Sequence, residues 1–205
     1  MNTATTQELN RAVIADRAST IRRALNGHSI VLVGIMGVGK STIGKRLSQF
    51  LDIPFVDADK EIEKAAGMSV QDIFDQFGED AFRSGEKKVI RRLLDEGQKI
   101  LATGGGAFMN EATREEIQQS GVSVWLKADL DVLMKRVQRR ADRPLLKTAD
   151  PEATMKALLD ERNPVYALAD VEIESRTVSR DVIASELVDL LADALPEISE
   201  ARGWK

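Results

Sequence analysis

The sequence predicts an α/β domain built on a parallel sheet with helices on both faces. Short apolar, β-branched runs recur at Ser29–Val33, Ile53–Val56, Lys99–Ala102, Val122–Leu126 and Val171–Glu174. Segments with helical spacing separate these runs, so strand and helix alternate along the chain. The first run also ends in glycine and opens into a glycine-rich loop, without internal repeats or a long linker anywhere in the sequence.

Residues 8–25 read as a helix, because Ile14, Ala18, Ile21 and Leu25 recur at helical spacing and Asn26-Gly27 supplies a stop. Residues 1–28 are therefore expected to form an N-terminal helical extension ahead of a single domain, 29–205. The opening MNTATTQELN has no signal-peptide core, and Glu8 and Asp16 argue against an organelle-targeting peptide. After the first strand, Ser41–Leu51 is helical, with Ile43, Leu47 and Phe50 on one side. The second strand, Ile53–Val56, leads to a helix from Asp57 that stops at Gly67. Ser69 and Asp72 form a helix-opening cap for Val70–Phe77, Gly78 breaks that helix, and Glu79–Glu96 resumes it up to Gly97. Residues 57–97 thus hold helices and no strand, the pattern of a lobe inserted between two strands.

Beyond the third strand, Glu111–Gln119 is helical, and so is Leu130–Arg140, which Pro144 ends. Asp150-Pro151-Glu152 opens another helix with a cap, a first-turn proline and an acid, and Asn163 before Pro164 is expected to close it. Ile183, Leu187, Leu190, Leu191 and Leu195 form the stripe of a C-terminal helix. Residues 139–150 are polar and arginine-rich, as a closing lid would be.

Composition narrows the chemistry. The 205 residues fit one domain, and the net charge of −4 offers no global attraction to nucleic acid or anionic lipid. No run reaches the roughly 20 apolar residues of a membrane span. Cysteine is absent, which excludes disulfides, thiolate metal sites and cysteine nucleophiles. The single histidine, His28, reads as a surface residue just before the first strand.

Gly34-Ile-Met-Gly-Val-Gly39-Lys40-Ser41 matches G-x-x-x-x-G-K-[ST] between an apolar strand and an amphipathic helix. Its glycines let backbone N–H groups converge on a phosphate, and the helix adds its positive end. Lys40 would reach the β- and γ-phosphates, and the Ser41 hydroxyl would ligate Mg²⁺.

The remaining candidates each have a plainer reading. Asp57 and Asp59 stand at the carboxyl end of the second strand, where ligands gather, although a helix N-terminus also welcomes acids. Arg83 and Glu86 lie one helical turn apart, either as a surface ion pair or as an arginine aimed at an anion and braced by Glu86. Thr103-Gly104-Gly105-Gly106 follows the third strand, as a flexible turn or as backbone that must approach a ligand closely. Arg139, Arg140 and Arg143 are a solvated run or the lid's contribution to a transferring phosphoryl group.

Together GIMGVGKS, the Asp57/Asp59 pair, FRSGE, TGGG, RPLL and ERNPVY resemble the shikimate kinase family, over roughly residues 29–175. The resemblance implies a three-layer α/β/α sandwich of the nucleoside-monophosphate-kinase type, with a five-stranded parallel sheet in the order 2-3-1-4-5, a substrate lobe at 57–97 and a lid at 139–150. It also implies ATP and Mg²⁺ as cofactors and transfer of the γ-phosphoryl group to the 3-hydroxyl of shikimate. Gly37, Val38, Gly39, Lys40, Ser41 and Thr42 would then hold the nucleotide, with Arg136 along adenine, Arg139 its competitor there, and Arg143 on the phosphoryl group. Ser41 and Asp57 would hold the metal, and Lys40, Asp59 and Arg143 would be catalytic. Asp59, Arg83, Gly104, Gly105, Gly106 and Arg162 would bind shikimate, the two arginines gripping its carboxylate. The expected protein is a cytoplasmic monomer without nucleic-acid or membrane partners. A kinase for gluconate or a nucleoside monophosphate is the alternative. A GTP-binding switch is a more distant one, because Leu126-Lys127-Ala128-Asp129 lacks the polar residue that opens a guanine-reading motif.

Overall fold

The computed structural model describes residues 3–138 and 149–204, without the side chains of residues 3–11. Its single sheet has five parallel strands in the order β2-β3-β1-β4-β5. β1 (Ser29–Val33) is the centre, flanked by β3 (Ile100–Ala102) and β4 (Gly121–Lys127). β2 (Phe55–Asp57) and β5 (Val171–Glu174) form the edges. Every residue of β1 is buried, the consequence of helices on both faces, and this is why it reads as an unbroken apolar run. β5 alternates buried and exposed residues, as an edge strand with one covered face does.

The register decides where function can sit. Leu32 pairs with Ala102, and Ala102 pairs with Asp57, so the residues following β1, β2 and β3 emerge at one sheet edge. The helices α2 (Lys40–Leu51), α3 (Ala58–Ala66), α4 (Val70–Asp95), α5 (Glu111–Ser120), α6 (Leu130–Val137), α7 (Pro151–Tyr166) and α8 (Arg180–Ala201) fill the crossovers and the C-terminal segment. α3 and α4 lie between β2 and β3, and Gly78 interrupts α4 at φ 80° and ψ 176°. The Ser69–Asp72 capping box opens α4 as the sequence predicts.

α1 (Thr3–Leu25) lies against α8 and α2 and buries Ala18, Ile21 and Leu25 in the main core. Arg17 reaches Asp189 and Asp193 on α8, and Arg22 donates to the Leu51 carbonyl at 2.8 Å. The extension is therefore held by apolar burial, with ion pairs at its rim.

Several local expectations need correction. β2 starts at Phe55 because Pro54 has no N–H to give the ladder; its carbonyl instead accepts from Ile100 N at 2.8 Å. α7 continues through Asn163-Pro164 to Tyr166, since the proline falls in the final turn, where few helical bonds remain to be lost. Leu190 leaves the α8 stripe and is 41% exposed, while Val188 faces inward. On α2, Leu51 and Gly44 complete the buried face, and Phe50 lies half-buried with the Arg46 guanidinium 4.6 Å from its ring centre. His28 is half-buried, stacked on Trp204 with centroids 4.0 Å apart. Arg139, Arg140, Arg143 and most of the expected lid lie outside the described residues.

Candidate active site

The phosphate loop sits where the register puts it, directly after β1. Gly39 holds φ 107° as the residue before α2, a left-handed conformation that side-chain-bearing residues rarely adopt, and no side chain caps that helix. An uncapped helix start leaves N–H groups and the positive end of the dipole to face an anion. Lys40 Nζ runs back along the loop to the Gly34 and Ile35 carbonyls at 2.6 and 3.1 Å. Gly37 lies in the loop beside Val137 and Leu133 of α6, and Thr42 in the first turn of α2, its N–H 3.0 Å from the Gly39 carbonyl. Val38 is fully buried, and its carbonyl accepts from Ser175 Oγ at 2.6 Å and from Arg136 Nη1 at 2.9 Å. Arg136 also donates to Ser175 Oγ and the Arg176 carbonyl, so the edges of its guanidinium are tied to the loop's flank.

At the end of β2 the Ser41 hydroxyl donates to Asp57 Oδ2 at 2.6 Å. A hydroxyl beside a carboxylate at the mouth of a phosphate loop is a hard oxygen set. It fits Mg²⁺, which takes one or two protein oxygens and fills its octahedron with water and phosphate. No group of three or more acidic, histidine or cysteine residues that could cage a metal occurs among the described residues, as such a site requires none.

The third strand's glycines meet side chains from three helices. A Cβ on Gly104 would lie 2.5 Å from Glu86 Oε1 and 2.9 Å from Asp59 Oδ1; one on Gly106 would lie 2.4 Å from Arg83 Nη2. Gly105 is packed on the phosphate loop, its would-be Cβ 3.3 Å from Met36 N. The triplet is thus required first by the protein's own charged groups, which occupy the space side chains would fill. Asp59 comes from the first turn of α3, and Arg83 and Glu86 come from α4 beyond Gly78.

Arg83 and Glu86 are not a surface pair. Glu86 is 2% exposed and accepts from Arg83 Nη1 at 2.7 Å; Arg83 also donates to Glu79 at 3.1 Å from Nη2. Burial pushes the Glu86 carboxyl above its usual range, and Arg83 only partly opposes this while Asp59 adds to it. Among the described residues, Glu86 Oε1 and Arg162 Nε are buried without a hydrogen-bond partner. A buried acceptor and a buried donor left open at one site suit an occupant that offers both.

Arg162, 8% exposed, lies on α7 and is an electrostatic neighbour of Tyr166. One turn later the Tyr166 hydroxyl donates to the Gly105 carbonyl, while its ring packs between Trp125 and Phe108. Burial pushes the Tyr166 hydroxyl up to about 12, with hydrogen-bonded Arg162 and nearby Arg83 opposing and Glu86 reinforcing. Arg162, Arg83, Glu86 and Tyr166 are therefore electrostatic neighbours. In the sequence the tyrosine stands out only within ERNPVY, and nothing marks Ser175. The available signal for Tyr166 is that it is the chain's sole tyrosine.

A phosphate-binding loop at the end of β1, with the Arg83 guanidinium at the same sheet edge, defines the class: a P-loop phosphotransferase acting on small molecules. The sequence model described as shikimate kinase matches residues 36–192. A shikimate kinase of Bradyrhizobium diazoefficiens is 59% identical over 177 residues, 86% of each chain. Among solved structures, shikimate kinase from Acinetobacter baumannii in complex with shikimate superposes with TM-score 0.79 at 35% identity, covering 83% of this chain and 97% of that one. The Aquifex aeolicus shikimate kinase follows at TM-score 0.71 and 34% identity, covering 82% and 99%. The chain belongs to the shikimate kinase family, and its activity is that family's ATP- and Mg²⁺-dependent kinase activity.

Proposed function

We propose that this chain transfers the γ-phosphoryl group of ATP to the 3-hydroxyl of shikimate, giving shikimate 3-phosphate and ADP, with the following division of labour. Gly37, Val38, Gly39, Lys40, Ser41 and Thr42 bind the phosphates. Ser41 and Asp57 hold Mg²⁺, which neutralises phosphate charge when bound. Arg136 lies along adenine; its edges are tied to Val38, Ser175 and Arg176, which fixes the plane whose face would stack. Arg143, with Arg139 as Arg136's competitor for adenine, belongs to the stretch outside the described residues.

Arg83 and Arg162 grip the acceptor's carboxylate in bidentate fashion. Gly104, Gly105 and Gly106 form the backbone floor beneath the ring. Asp59 accepts from the attacking hydroxyl and aims it at the phosphoryl group held by Lys40 and Arg143. The transition state of such a transfer is loose, so aligning the two reactants and neutralising charge supply most of the acceleration.

The observation that carries this reading is the packing of Arg83 and Asp59 against the glycine triplet, at the sheet edge that also bears Lys40, with Arg162 beside the Tyr166 that bonds the same triplet. The residues 29–205 act as one kinase domain, with a substrate lobe at about 57–97, a lid at about 139–150, and residues 1–28 as a helical extension. Dependence on ATP supports a cytoplasmic location, and the net charge of −4 supports the absence of nucleic-acid and membrane partners.

ADP release from ATP and Mg²⁺ tests the assignment, measured with shikimate, gluconate or a nucleoside monophosphate as acceptor. Release above background is expected with shikimate alone. Turnover of gluconate without turnover of shikimate overturns it.

A further inference from the structure

We propose that Tyr166 is a positioning residue for the acceptor, setting the separation between Arg162 and the glycine triplet against which Arg83 is packed. This rests on the functional reading above and deepens it.

Four observations converge on the tyrosine. It ends α7, so it rides on the helix that carries Arg162 one turn earlier. Its hydroxyl donates to the carbonyl of Gly105, the middle residue of the triplet. Gly105 in turn abuts the phosphate loop at Met36 N and the Gly34 carbonyl, while Gly106 abuts the Arg83 guanidinium. The ring is fully buried, stacked at 6.0 Å from Trp125 and 6.5 Å from Phe108, so the hydroxyl cannot wander from that carbonyl.

The geometry makes the hydroxyl a spacer between two parts that do not otherwise share an element. Arg83 reaches the triplet from α4, and Arg162 stands on α7, whose last residue, Tyr166, is the one that bonds the triplet. A carboxylate taken by both guanidinium groups needs them at a fixed separation, and bidentate hydrogen bonds decay quickly with misalignment. The Tyr166–Gly105 bond, with the stacking of the ring on Phe108 just beyond the triplet, fixes the end of α7 to the strand end that Arg83 already touches. Arg162 is also an electrostatic neighbour of the same tyrosine, opposing the upward push of burial on its hydroxyl. The hydroxyl stays protonated across the working pH range, so it serves as a constant donor to the carbonyl rather than as a proton carrier.

Tyr166→Phe isolates this role, since it keeps the ring and its packing and removes only the oxygen. In steady-state assays the KM for shikimate is expected to rise about tenfold, kcat to change less, and the KM for ATP to stay within about twofold, as expected from losing one hydrogen bond at the acceptor side. Combining it with Arg162→Ala is expected to give less than the product of the two separate effects, because Tyr166 acts through Arg162. An unchanged shikimate KM in Tyr166→Phe, or a parallel rise for both substrates together with a lowered Tm, overturns the proposal in favour of a packing role.

A measurement on the unsubstituted sequence stands beside this. The chain has one tyrosine, so protein labelled with 3-fluorotyrosine gives a single ¹⁹F resonance from Tyr166. That resonance is expected to shift on addition of shikimate, and a resonance indifferent to saturating shikimate overturns the proposal even if Tyr166→Phe does not fold. Absence of shikimate-dependent turnover in the unsubstituted enzyme overturns the functional reading itself, and this inference with it. It is distinguished from failure of the tyrosine's role by the wild-type assay alone.

Discussion

The two rims of the candidate site are made of different material. The phosphate rim is backbone: a contiguous stretch, Gly34 to Thr42, presents N–H groups and a helix start, with Lys40 folded along it. The proposed acceptor rim is side chain: Asp59, Arg83, Glu86 and Tyr166 come from three helices and meet over three glycines, with Arg162 beside Tyr166. Backbone donors recognise any phosphate chain, whereas dispersed side chains can recognise one particular acceptor. The comparison teaches that nucleotide use and acceptor choice are specified separately, and that the second depends on tertiary placement.

Substitutions that strike one rim should spare the other. The largest effect is expected from Lys40→Ala, with turnover falling about 1000-fold because a charge is lost at the transferring group, while shikimate affinity by calorimetry is retained. Near-normal turnover would mean that the phosphate rim is misassigned. Arg83→Ala is next: kcat/KM for shikimate is expected to drop about 100-fold, since it also leaves Glu86 buried without its cation, and nucleotide binding is expected to persist. Equal damage to both substrates would erase the separation between the rims.

Gly106→Ala is subtler and sharper. Its backbone, at φ −97° and ψ −11°, suits alanine, and the atom a new methyl would strike is the far end of the Arg83 side chain, at 2.4 Å. Tm should therefore barely move while the KM for shikimate rises about tenfold. A large fall in Tm would show that the triplet serves the backbone rather than the guanidinium.

The smallest effect is a pH dependence of stability. Burial raises the Glu86 carboxyl above its ordinary 4.5, so the folded state binds this proton more tightly than the unfolded chain. The stabilisation is complete below 4.5 and is lost as pH climbs through the raised value. Tm measured against pH should show the unsubstituted protein losing ground to Glu86→Gln across that window and running parallel to it on either side. A difference that grows in the opposite direction would place the carboxylate in a more solvated setting than the 2% exposure indicates.

Much of this was legible in the sequence, and the boundary follows the same division. The phosphate loop is a local string, because backbone recognition needs only glycines and a helix start in succession. Sheet order followed from the resemblance, and β1 from its unbroken apolar run. The burial of Glu86 was not legible, since an arginine and a glutamate three residues apart look the same on a surface helix as beneath a lobe. The glycines were legible as close approach, but what approaches includes Glu86 and Arg83 from elsewhere in the chain. Tyr166 could not be placed from spacing, because its partner Gly105 is 61 residues away. Pro164 suggested a helix end, yet the last turn of α7 absorbs it.

The break at Gly78 has a consequence for how the enzyme meets its acceptor. α3 and α4 bury a small satellite cluster, Ile62, Ile73 and Phe82, apart from the main core that holds Ile90, Leu93 and Leu94 of the same helix. So few buried apolar groups make this region the first to open while the sheet stays intact. Amide hydrogens around Val70–Phe77 should then exchange with deuterium well ahead of those near Ile90. Arg83 belongs to this loosely held part, so an occupant that engages it also draws the region closed, and the affinity measured for that occupant already contains the ordering of the lobe.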